Sequence, residues 1–460
     1  MDIKDLKYAY FIGIGGIGMS ALARFFHSQG IFTYGYDRTA SDLTQKMENE
    51  GMSIHYEDDP GYIKSLNIYP DETLVIYTPA IPSYNKELNF FRENDFDIKK
   101  RAEVLGMISK SWDAICVAGT HGKTTISTLT AHLFTNSKIG CSAFIGGIAK
   151  NYGTNYLHSS KSPFVVLEAD EFDRSFLHLS PYMSVITSID ADHLDIYGDK
   201  KHLTASFKEF AMLTRPQGTL IIKKGLKNIQ APDNSIKFTY SLDEECDFYA
   251  SDIRLVDDRY VFTLNSDFGK MKDLTLGIPG LLNVENAVAA SALALSGGVS
   301  EDELREGLKT FKGIRRRFEY VIKSEDLIFI DDYAHHPAEI KATLNSVKDL
   351  YPGKKVHVVF QPHLYSRTKD FAKEFAKELD KADKIYLLDI YPARELPIEG
   401  VSSGLIKKYM KNKNAVLCDK DNVFELLTAD KPDVLLTMGA GDIDRLVPVL
   451  GEKIAEASAS

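Results

Sequence analysis

The sequence is poor in cysteine and lacks a long apolar run. Its four cysteines, Cys116, Cys141, Cys246 and Cys418, are scattered over 460 residues without a C-x-x-C pair. This spacing argues against a disulfide framework and a zinc site, and fits a reducing compartment. Because no run of about 18 apolar residues occurs, no transmembrane helix is expected. The first residues also lack the basic and apolar segments of a secretion signal, so we expect a cytoplasmic protein without a membrane partner.

Positive charge is not in excess either. The chain has 55 Lys and Arg against 65 Asp and Glu, which gives a net charge of −10. This balance argues against a non-specific nucleic-acid partner, because such binding depends on basic surface. The apolar fraction of 44% and the charged fraction of 26% are ordinary for a globular protein. A chain of this length is expected to form about two to four domains.

Buried strands alternate with helical stretches in three successive blocks, which predicts an α/β fold with parallel sheets. The first block opens with a strand, a glycine loop and a helix, as in a Rossmann-like nucleotide-binding unit. The second contains a phosphate-loop pattern, and its part between about 240 and 276 alternates as antiparallel strands do. The third is again Rossmann-like. The predicted domains are 1–106, 107–315 and 316–460.

One short segment after a buried strand has the composition of a phosphate-binding loop. It consists of Gly119, Thr120, His121, Gly122, Lys123, Thr124 and Thr125. In such a loop, backbone N–H groups and the helix N-terminus face the anion, the lysine adds charge, and a threonine hydroxyl reaches Mg²⁺. Two residues, rather than the usual four, separate the glycines. A buried lysine needs an anionic partner, so the segment predicts a nucleotide-phosphate site.

A second glycine loop lies near the N-terminus. Gly13-x-Gly15-x-x-Gly18 matches the dinucleotide fingerprint, and Asp37 stands where a ribose-binding acid is expected. One interpretation is an NAD-dependent dehydrogenase, and another is a tight strand-to-helix turn without a ligand. We favour a bound nucleotide diphosphate, but these residues leave the nucleotide open.

Acidic residues and a histidine follow two further strands of the second block. Glu168 ends a buried strand and is a candidate Mg²⁺ ligand, since this ion prefers hard oxygen donors. The alternative is a solvated acidic turn, because Asp170, Glu171 and Asp173 are close in sequence. For His193 the residues alone leave a structural role and a ligand role equally open.

Polar segments also follow two neighbouring strands of the third block. Residues 331–337 and 361–367 begin where predicted strands end, so we expect them to share a cleft. Arg367 would pair there with a carboxylate or a phosphate. Residues 315–317, three consecutive arginines, are either a solvated charge run or a nucleotide contact.

Seven segments occur together and in order. They are GIGGIGMS (13–20), AGTHGKTT (118–125), EADEFDRSFL (168–177), NVENAVAA (283–290), RRRFE (315–319), DDYAHHP (331–337) and FQPHLYSRT (360–368). In this combination the chain closely resembles the Mur ligase family over nearly its whole length. The first segment points to the alanine-adding member.

The resemblance implies an ATP-dependent ligase that joins L-alanine to the lactyl carboxylate of UDP-N-acetylmuramate, a cytoplasmic step of peptidoglycan precursor synthesis. ATP would phosphorylate the carboxylate, and the amine of alanine would attack the acyl phosphate. The N-terminal domain would bind the UDP-sugar and the central domain ATP, with the C-terminal domain closing on both. Two Mg²⁺ ions and a monomer or homodimer are expected.

The resemblance also implies a role for individual residues. Those expected to hold the UDP-sugar are Gly15, Gly16, Ile17, Gly18, Met19, Ser20, Asp37 and His55. ATP would be held by Gly119 to Thr125, together with Asn283, Asn286, Arg317 and Asp332. The expected catalytic residues are Lys123, His193, His335 and Arg367. The expected metal ligands are Thr124, Glu168 and His193.

The chain departs from the family pattern at two positions, Leu364 and Leu282, where the family often has arginine and histidine. Arg367 or Arg394 would replace the missing arginine, and no carbamylated lysine is identified. Three alternatives stay open: a ligase that recycles a tripeptide onto the same UDP-sugar, an NAD-dependent oxidoreductase with an accessory P-loop, and a nucleotide-sensing module without catalysis.

Overall fold

A computed structural model describes residues 3–190, 194–393 and 395–459. The chain forms two compact units. The first contains the described residues up to Arg254, with Val261–Gly277 and Glu285–Lys312. The second contains Leu255–Tyr260, Ile278–Val284 and the described residues from Gly313 onward. None of the helices in the described residues is long and apolar enough to span a membrane.

The first sheet has five parallel strands in the order β3-β2-β1-β4-β5. The strands are β1 (Tyr8–Ile12), β2 (Phe32–Tyr36), β3 (Ser53–His55), β4 (Thr73–Tyr77) and β5 (Asp97–Lys100). The helices that connect and follow them are α1 (Ile17–Ser28), α2 (Asp42–Asn49), α3 (Pro60–Ser65), α4 (Lys86–Glu93) and α5 (Arg101–Ser111). Because all five strands are parallel, their carboxyl ends meet at one edge of the sheet. A Rossmann-like ligand site is expected at this edge.

The second sheet has ten strands in the order β15-β14-β13-β12-β11-β10-β6-β9-β7-β8. Its strands are β6 (Asp113–Ala118), β7 (Ser142–Ala149), β8 (Thr154–Leu157), β9 (Phe164–Ala169), β10 (Met183–Ile186), β11 (Thr219–Lys223), β12 (Ile236–Ser241), β13 (Phe248–Val256), β14 (Arg259–Ser266) and β15 (Gly269–Thr275). Its helices are α6 (Lys123–Thr135), α7 (Leu194–Tyr197), α8 (Lys200–Met212), α9 (Leu281–Ser296) and α10 (Glu301–Thr310).

The strands between 240 and 276 were expected to be antiparallel, and this holds for β14 with β15. The end of β12 instead pairs in parallel with β13, through Tyr240 opposite Phe248. A loop of only a few residues separates these two strands, and the alternation of side chains does not distinguish parallel from antiparallel pairing.

The third sheet has six strands in the order β16-β17-β21-β18-β19-β20. Its strands are β16 (Glu319–Lys323), β17 (Ile328–Asp332), β18 (Val356–Phe360), β19 (Lys384–Leu387), β20 (Ala415–Leu417) and β21 (Val434–Met438). Its helices are α11 (Pro337–Leu350), α12 (Tyr365–Leu379), α13 (Ser403–Tyr409), α14 (Val423–Ala429) and α15 (Leu446–Ala459). The sheet is parallel except for β16, an antiparallel edge strand that the sequence pattern did not indicate.

Three short 3-10 segments complete the described structure: Ile3–Asp5, Phe172–His178 and Asp442–Arg445.

The first two sheets share one hydrophobic core within the first unit. Helix α1 contributes Phe25, whose ring contacts Trp112, Phe144 and Tyr156 at centroid distances of 5.9, 5.5 and 6.3 Å. Aromatic rings bury large areas, and edge-to-face contacts add specific geometry to that burial. The helix that follows the N-terminal glycine loop is therefore packed directly against the sheet that carries the phosphate loop.

Candidate active site

The loop from Gly119 to Gly122 joins the end of β6 to the start of α6. Gly119 has φ +138° and Gly122, the residue capping α6, has φ +81°. A Cβ atom at position 119 would lie 1.9 Å from the Thr187 hydroxyl oxygen, so only glycine fits there. The helix N-terminus with its N–H groups thus begins directly after a tight glycine turn, as predicted for a phosphate loop.

Two hydroxyl residues at the end of β10 support this loop. The Ser188 hydroxyl accepts a 2.9 Å hydrogen bond from the His121 backbone N–H and lies 2.9 Å from the Thr120 hydroxyl. The Thr187 hydroxyl donates to the His121 carbonyl at 2.6 Å. These supports were not predicted, because a serine or threonine after a strand carries no distinctive sequence signal.

The Lys123 ammonium is held by a buried carboxylate. Its Nζ lies 2.7 Å and 2.9 Å from the two carboxylate oxygens of Glu171, and it donates to the Gly119 carbonyl at 2.7 Å. Burial lowers the pKa of Lys123, but the charges of Glu171, Asp170 and Glu168 outweigh burial and raise it. Lys123 therefore stays protonated. The anionic partner that a buried lysine requires is, within the chain, Glu171.

Glu168 and Thr124 bring two hard oxygen donors together beside Lys123. The Thr124 hydroxyl lies 3.2 Å from a Glu168 carboxylate oxygen. Gly146 on β7 gives this carboxylate its space, since a Cβ there would fall 2.2 Å from Glu168 Oε2. The donor types fit Mg²⁺ bound beside nucleotide phosphates. The third predicted ligand, His193, lies outside the described residues, and the described residues contain no cluster of three or more His, Cys, Asp or Glu suited to a metal ion.

Asn286 on α9 is placed against the same loop. A Cβ at Gly122 would lie 2.9 Å from the Asn286 side-chain oxygen, so Asn286 lies close to the loop, and its contact with ATP stays a prediction. Asn283 donates instead to the Pro279 carbonyl at 2.6 Å. Its predicted contact with ATP stays a prediction.

The N-terminal glycine loop follows β1 at the carboxyl edge of the first sheet. The Asp37 carboxylate accepts from the Gly15 backbone N–H at 2.8 Å and from the Thr39 N–H at 3.1 Å. Asp37 therefore fixes the loop, and its predicted contact with a nucleoside remains a prediction. In α1 Met19 and Ser20 are buried, and the Ser20 N–H donates to the Gly16 carbonyl at 2.8 Å, so their contacts with the UDP-sugar stay predictions.

His55 at the end of β3 belongs to a buried polar cluster. Its Nε2 lies 2.6 Å from a carboxylate oxygen of Glu87, and its ring stacks on Tyr62 at 3.9 Å. The Tyr10 hydroxyl donates to the other Glu87 oxygen at 2.7 Å. Burial, followed by the charge of Glu87, raises the pKa of Tyr10. Glu87 was not predicted as a site residue, since it is an ordinary acid in the first turn of a helix.

In the second unit, Asp332 organises the segment after β17. Its carboxylate accepts from the backbone N–H groups of Phe318 and Ala334, both at 2.8 Å. Burial raises the pKa of Asp332 to about 6, although the charge of Arg317 acts in the opposite direction. The Arg317 guanidinium lies over the ring of Tyr333, 4.8 Å from its centre. Arg317 is therefore packed against the fold, whereas Arg315 of the same run is exposed.

His335 and Arg367 converge from two strand ends of the third sheet, as expected. The ring centre of His335 lies 6.0 Å from that of His363, whose Nδ1 is 3.3 Å from Arg367 Nη1. Burial lowers the pKa of His335 to about 4, against the raising effect of Glu339. His335 is therefore neutral at pH 7.

Leu364 directly precedes α12 with φ +70°, a left-handed conformation that is rare for leucine. Arg394, which would replace the missing family arginine, lies outside the described residues.

Three family models match consecutive parts of the chain. They are the Mur ligase family catalytic domain at residues 8–112, the Mur ligase middle domain at 117–294, and the Mur ligase glutamate ligase domain at 316–441. Each of the three sheets lies largely within one match.

Full-length relatives are similar throughout. The UDP-N-acetylmuramate–L-alanine ligase of Phocaeicola vulgatus is 50% identical over 450 residues, 97% of this chain and 98% of the relative. The crystal structure of UDP-N-acetylmuramate–alanine ligase from Thermotoga maritima superimposes with a TM-score of 0.82 at 27% identity, covering 98% of this chain and 99% of that one. A murein peptide ligase from Psychrobacter arcticus shares the fold, with a TM-score of 0.67 at 21% identity over 97% and 99% of the two chains.

The three family models together span most of the chain, and the relative is 50% identical over nearly all of it. The chain belongs to the Mur ligase family.

Proposed function

We propose that this protein is an ATP-dependent ligase that joins L-alanine to the lactyl carboxylate of UDP-N-acetylmuramate, in peptidoglycan precursor synthesis. The observation that carries the proposal is the largely buried Lys123 in a tight glycine loop, beside the Thr124–Glu168 oxygen pair. Similarity at 50% identity to an enzyme named for this reaction supports the choice of substrates.

The chemistry needs an activated carboxylate, because a free carboxylate is a poor acyl donor. Transfer of the ATP γ-phosphoryl group to the lactyl carboxylate gives ADP and an acyl phosphate. Attack by the alanine amine then releases phosphate and forms the amide. Positioning and cationic charge supply most of the catalysis in phosphoryl transfer. In the proposal, Lys123 holds the transferring phosphoryl group, while the loop N–H groups hold the remaining phosphates.

Mg²⁺ is the cofactor that the donor set favours. Thr124 and Glu168 would hold one ion, and His193 would belong to a second. When bound, the ions neutralise charge that develops on the phosphates. Glu171 is a further carboxylate nearby, but its two oxygens contact Lys123.

The alanine side of the reaction is assigned to the second unit. Arg367 would contact the amino-acid carboxylate, which suits a guanidinium. His335 would accept a hydrogen bond from the amine, because its lowered pKa leaves its ring neutral at pH 7. Asn283, Arg317 and Asp332 would serve the adenosine part or the approach of the C-terminal domain.

Domains 1–106, 107–315 and 316–460 would bind the UDP-sugar, ATP and the amino acid, respectively. We propose a cytoplasmic monomer or homodimer that has no nucleic-acid partner.

An ADP-release assay with UDP-N-acetylmuramate and a panel of amino acids tests the proposal. L-alanine should stimulate ADP release, and mass spectrometry should find the alanyl product. Ligases that recycle a tripeptide are the main alternative, since a murein peptide ligase shares the fold. Release that depends on L-alanyl-γ-D-glutamyl-diaminopimelate and ignores L-alanine would overturn the assignment. NADH binding without ATP turnover would favour an oxidoreductase.

A further inference from the structure

Arg101 reaches from the first residue of α5 to the N-terminal glycine loop. A Cβ atom built on Gly18 would fall 2.1 Å from Arg101 Nη1 and 3.1 Å from its Cζ. The guanidinium therefore lies directly on the backbone of the first turn of α1. This contact explains why the last residue of the loop, Gly18, is a glycine. Any side chain at this position would displace the arginine.

A carboxylate from the second sheet holds the other side of the guanidinium. Arg101 Nη2 lies 3.4 Å from Asp170 Oδ2. Asp170 accepts in turn from the Phe172 backbone N–H at 3.1 Å, which fixes its carboxylate. Both charged side chains are partly exposed, at 24% for Arg101 and 35% for Asp170. Arg101 is thus positioned but still accessible at the ligand edge of the first sheet.

The N-terminal glycine loop contains no cation of its own. Residues 13–20, GIGGIGMS, include no lysine or arginine. A nucleoside diphosphate carries about two negative charges, and backbone N–H groups offer only partial positive charge. A guanidinium presents a planar fork of donors that matches phosphate oxygens. We propose that Arg101 is a specificity-determining residue that binds the diphosphate of the UDP-sugar, with Asp170 as its positioning partner.

This inference rests on the proposed function. It predicts that Arg101 contributes to binding of the diphosphate and not to binding of the nucleoside. UDP and uridine are therefore the probes, measured by calorimetry on the full-length protein. In R101Q the dissociation constant for UDP should rise about ten- to a hundredfold, while that for uridine changes less than about twofold. R101K should be intermediate, because it keeps the charge but loses the fork.

Lys100 provides the matched control. It is the neighbouring cation and pairs with Asp173 at 3.3 Å, but it has no such contact with the glycine loop. K100Q should bind UDP and uridine as the wild type does. Equal UDP affinity in R101Q and the wild type would overturn the inference. Equal weakening of UDP and uridine in R101Q would also overturn it, since Arg101 would then only maintain the structure.

Turnover assays keep this inference distinct from the proposed reaction. If the wild type releases no ADP with UDP-N-acetylmuramate and alanine, the proposed function fails. Loss of discrimination between UDP and uridine in R101Q would still support Arg101 as a diphosphate contact in that case.

Discussion

Lys123 of the phosphate loop and Glu171 after β9 form a largely buried ion pair in which both carboxylate oxygens approach the ammonium, at 2.7 and 2.9 Å. Glu171 is fully buried. An ion pair at this depth fixes the lysine, and breaking it by removing one partner leaves an unpaired buried charge. The pair therefore has consequences for catalysis and for stability, and they can be tested separately.

Lys123→Ala should abolish most ADP formation. Removing one positioned cation from phosphoryl transfer is expected to lower kcat at least about a hundredfold, or about 3 kcal/mol. Binding of UDP should be unchanged, because the glycine loop of the first sheet is remote in sequence and separately supported by Asp37. Steady-state kinetics would measure kcat, and calorimetry would measure the binding of UDP. Lys208→Ala, on the exposed side of α8, is the control. Loss of UDP binding as well would indicate misfolding rather than a catalytic role.

Glu171→Gln should destabilise the protein and increase its stabilisation by nucleotide. Loss of the buried counter-charge is expected to cost about 3 kcal/mol in the free energy of unfolding. The phosphates of a non-hydrolysable ATP analogue would supply a replacement anion, so the analogue should raise the thermal midpoint more in the variant than in the wild type. The double variant Lys123→Met/Glu171→Gln, which leaves no unpaired charge, is the control. An equal shift in wild type and Glu171→Gln would contradict the argument.

Asn155→Ala should loosen the helix that follows the N-terminal glycine loop. The buried Asn155 amide donates to the Ile17 carbonyl at 2.6 Å and accepts from Arg24 Nη1 at 2.5 Å. Truncation leaves these groups without their partner and is expected to cost about 2–3 kcal/mol of stability. Urea unfolding would measure the loss, with Asn94→Ala at an exposed helix end as the control. Because α1 would be held less firmly, the KM for the UDP-sugar should rise more than the KM for ATP. Equal changes in the two constants would refute this role.

Much of the fold followed from local sequence patterns. Buried runs such as residues 114–118 and 356–360 are strands, and the glycine turns lie between strand and helix as predicted. The edge strand Glu319–Lys323 and the parallel pairing of Tyr240 with Phe248 were not predicted. Pairing direction and edge position depend on where the chain goes after each strand, and side-chain alternation carries no information about that.

The sequence could predict where a candidate site residue lies when the residue stands in a short segment at the end of a strand, as Lys123 and Glu168 do. The functional roles of both residues stay predictions. Glu171 is one of several neighbouring acids, and only folding selects it as the partner of the lysine. Arg101 and Asn155 act on residues far away in sequence, at 83 and 138 positions from Gly18 and Ile17 respectively, so no local pattern marks them.

Asp332 and His335 should give the second unit opposing pH dependences. Burial raises the pKa of Asp332 to about 6, so the folded state binds a proton more readily than the unfolded chain, and this residue reduces stability as pH rises from about 4 to 6. Burial lowers the pKa of His335 to about 4, so this residue adds stability over nearly the same range. In Asp332→Asn the thermal midpoint should therefore increase more steeply between pH 4 and 6 than in the wild type. The corresponding change in the free energy of unfolding over this range is up to about 2–3 kcal/mol. His335→Gln should change the slope in the opposite direction. If the two variants gave the same slope as the wild type, burial would not control these groups.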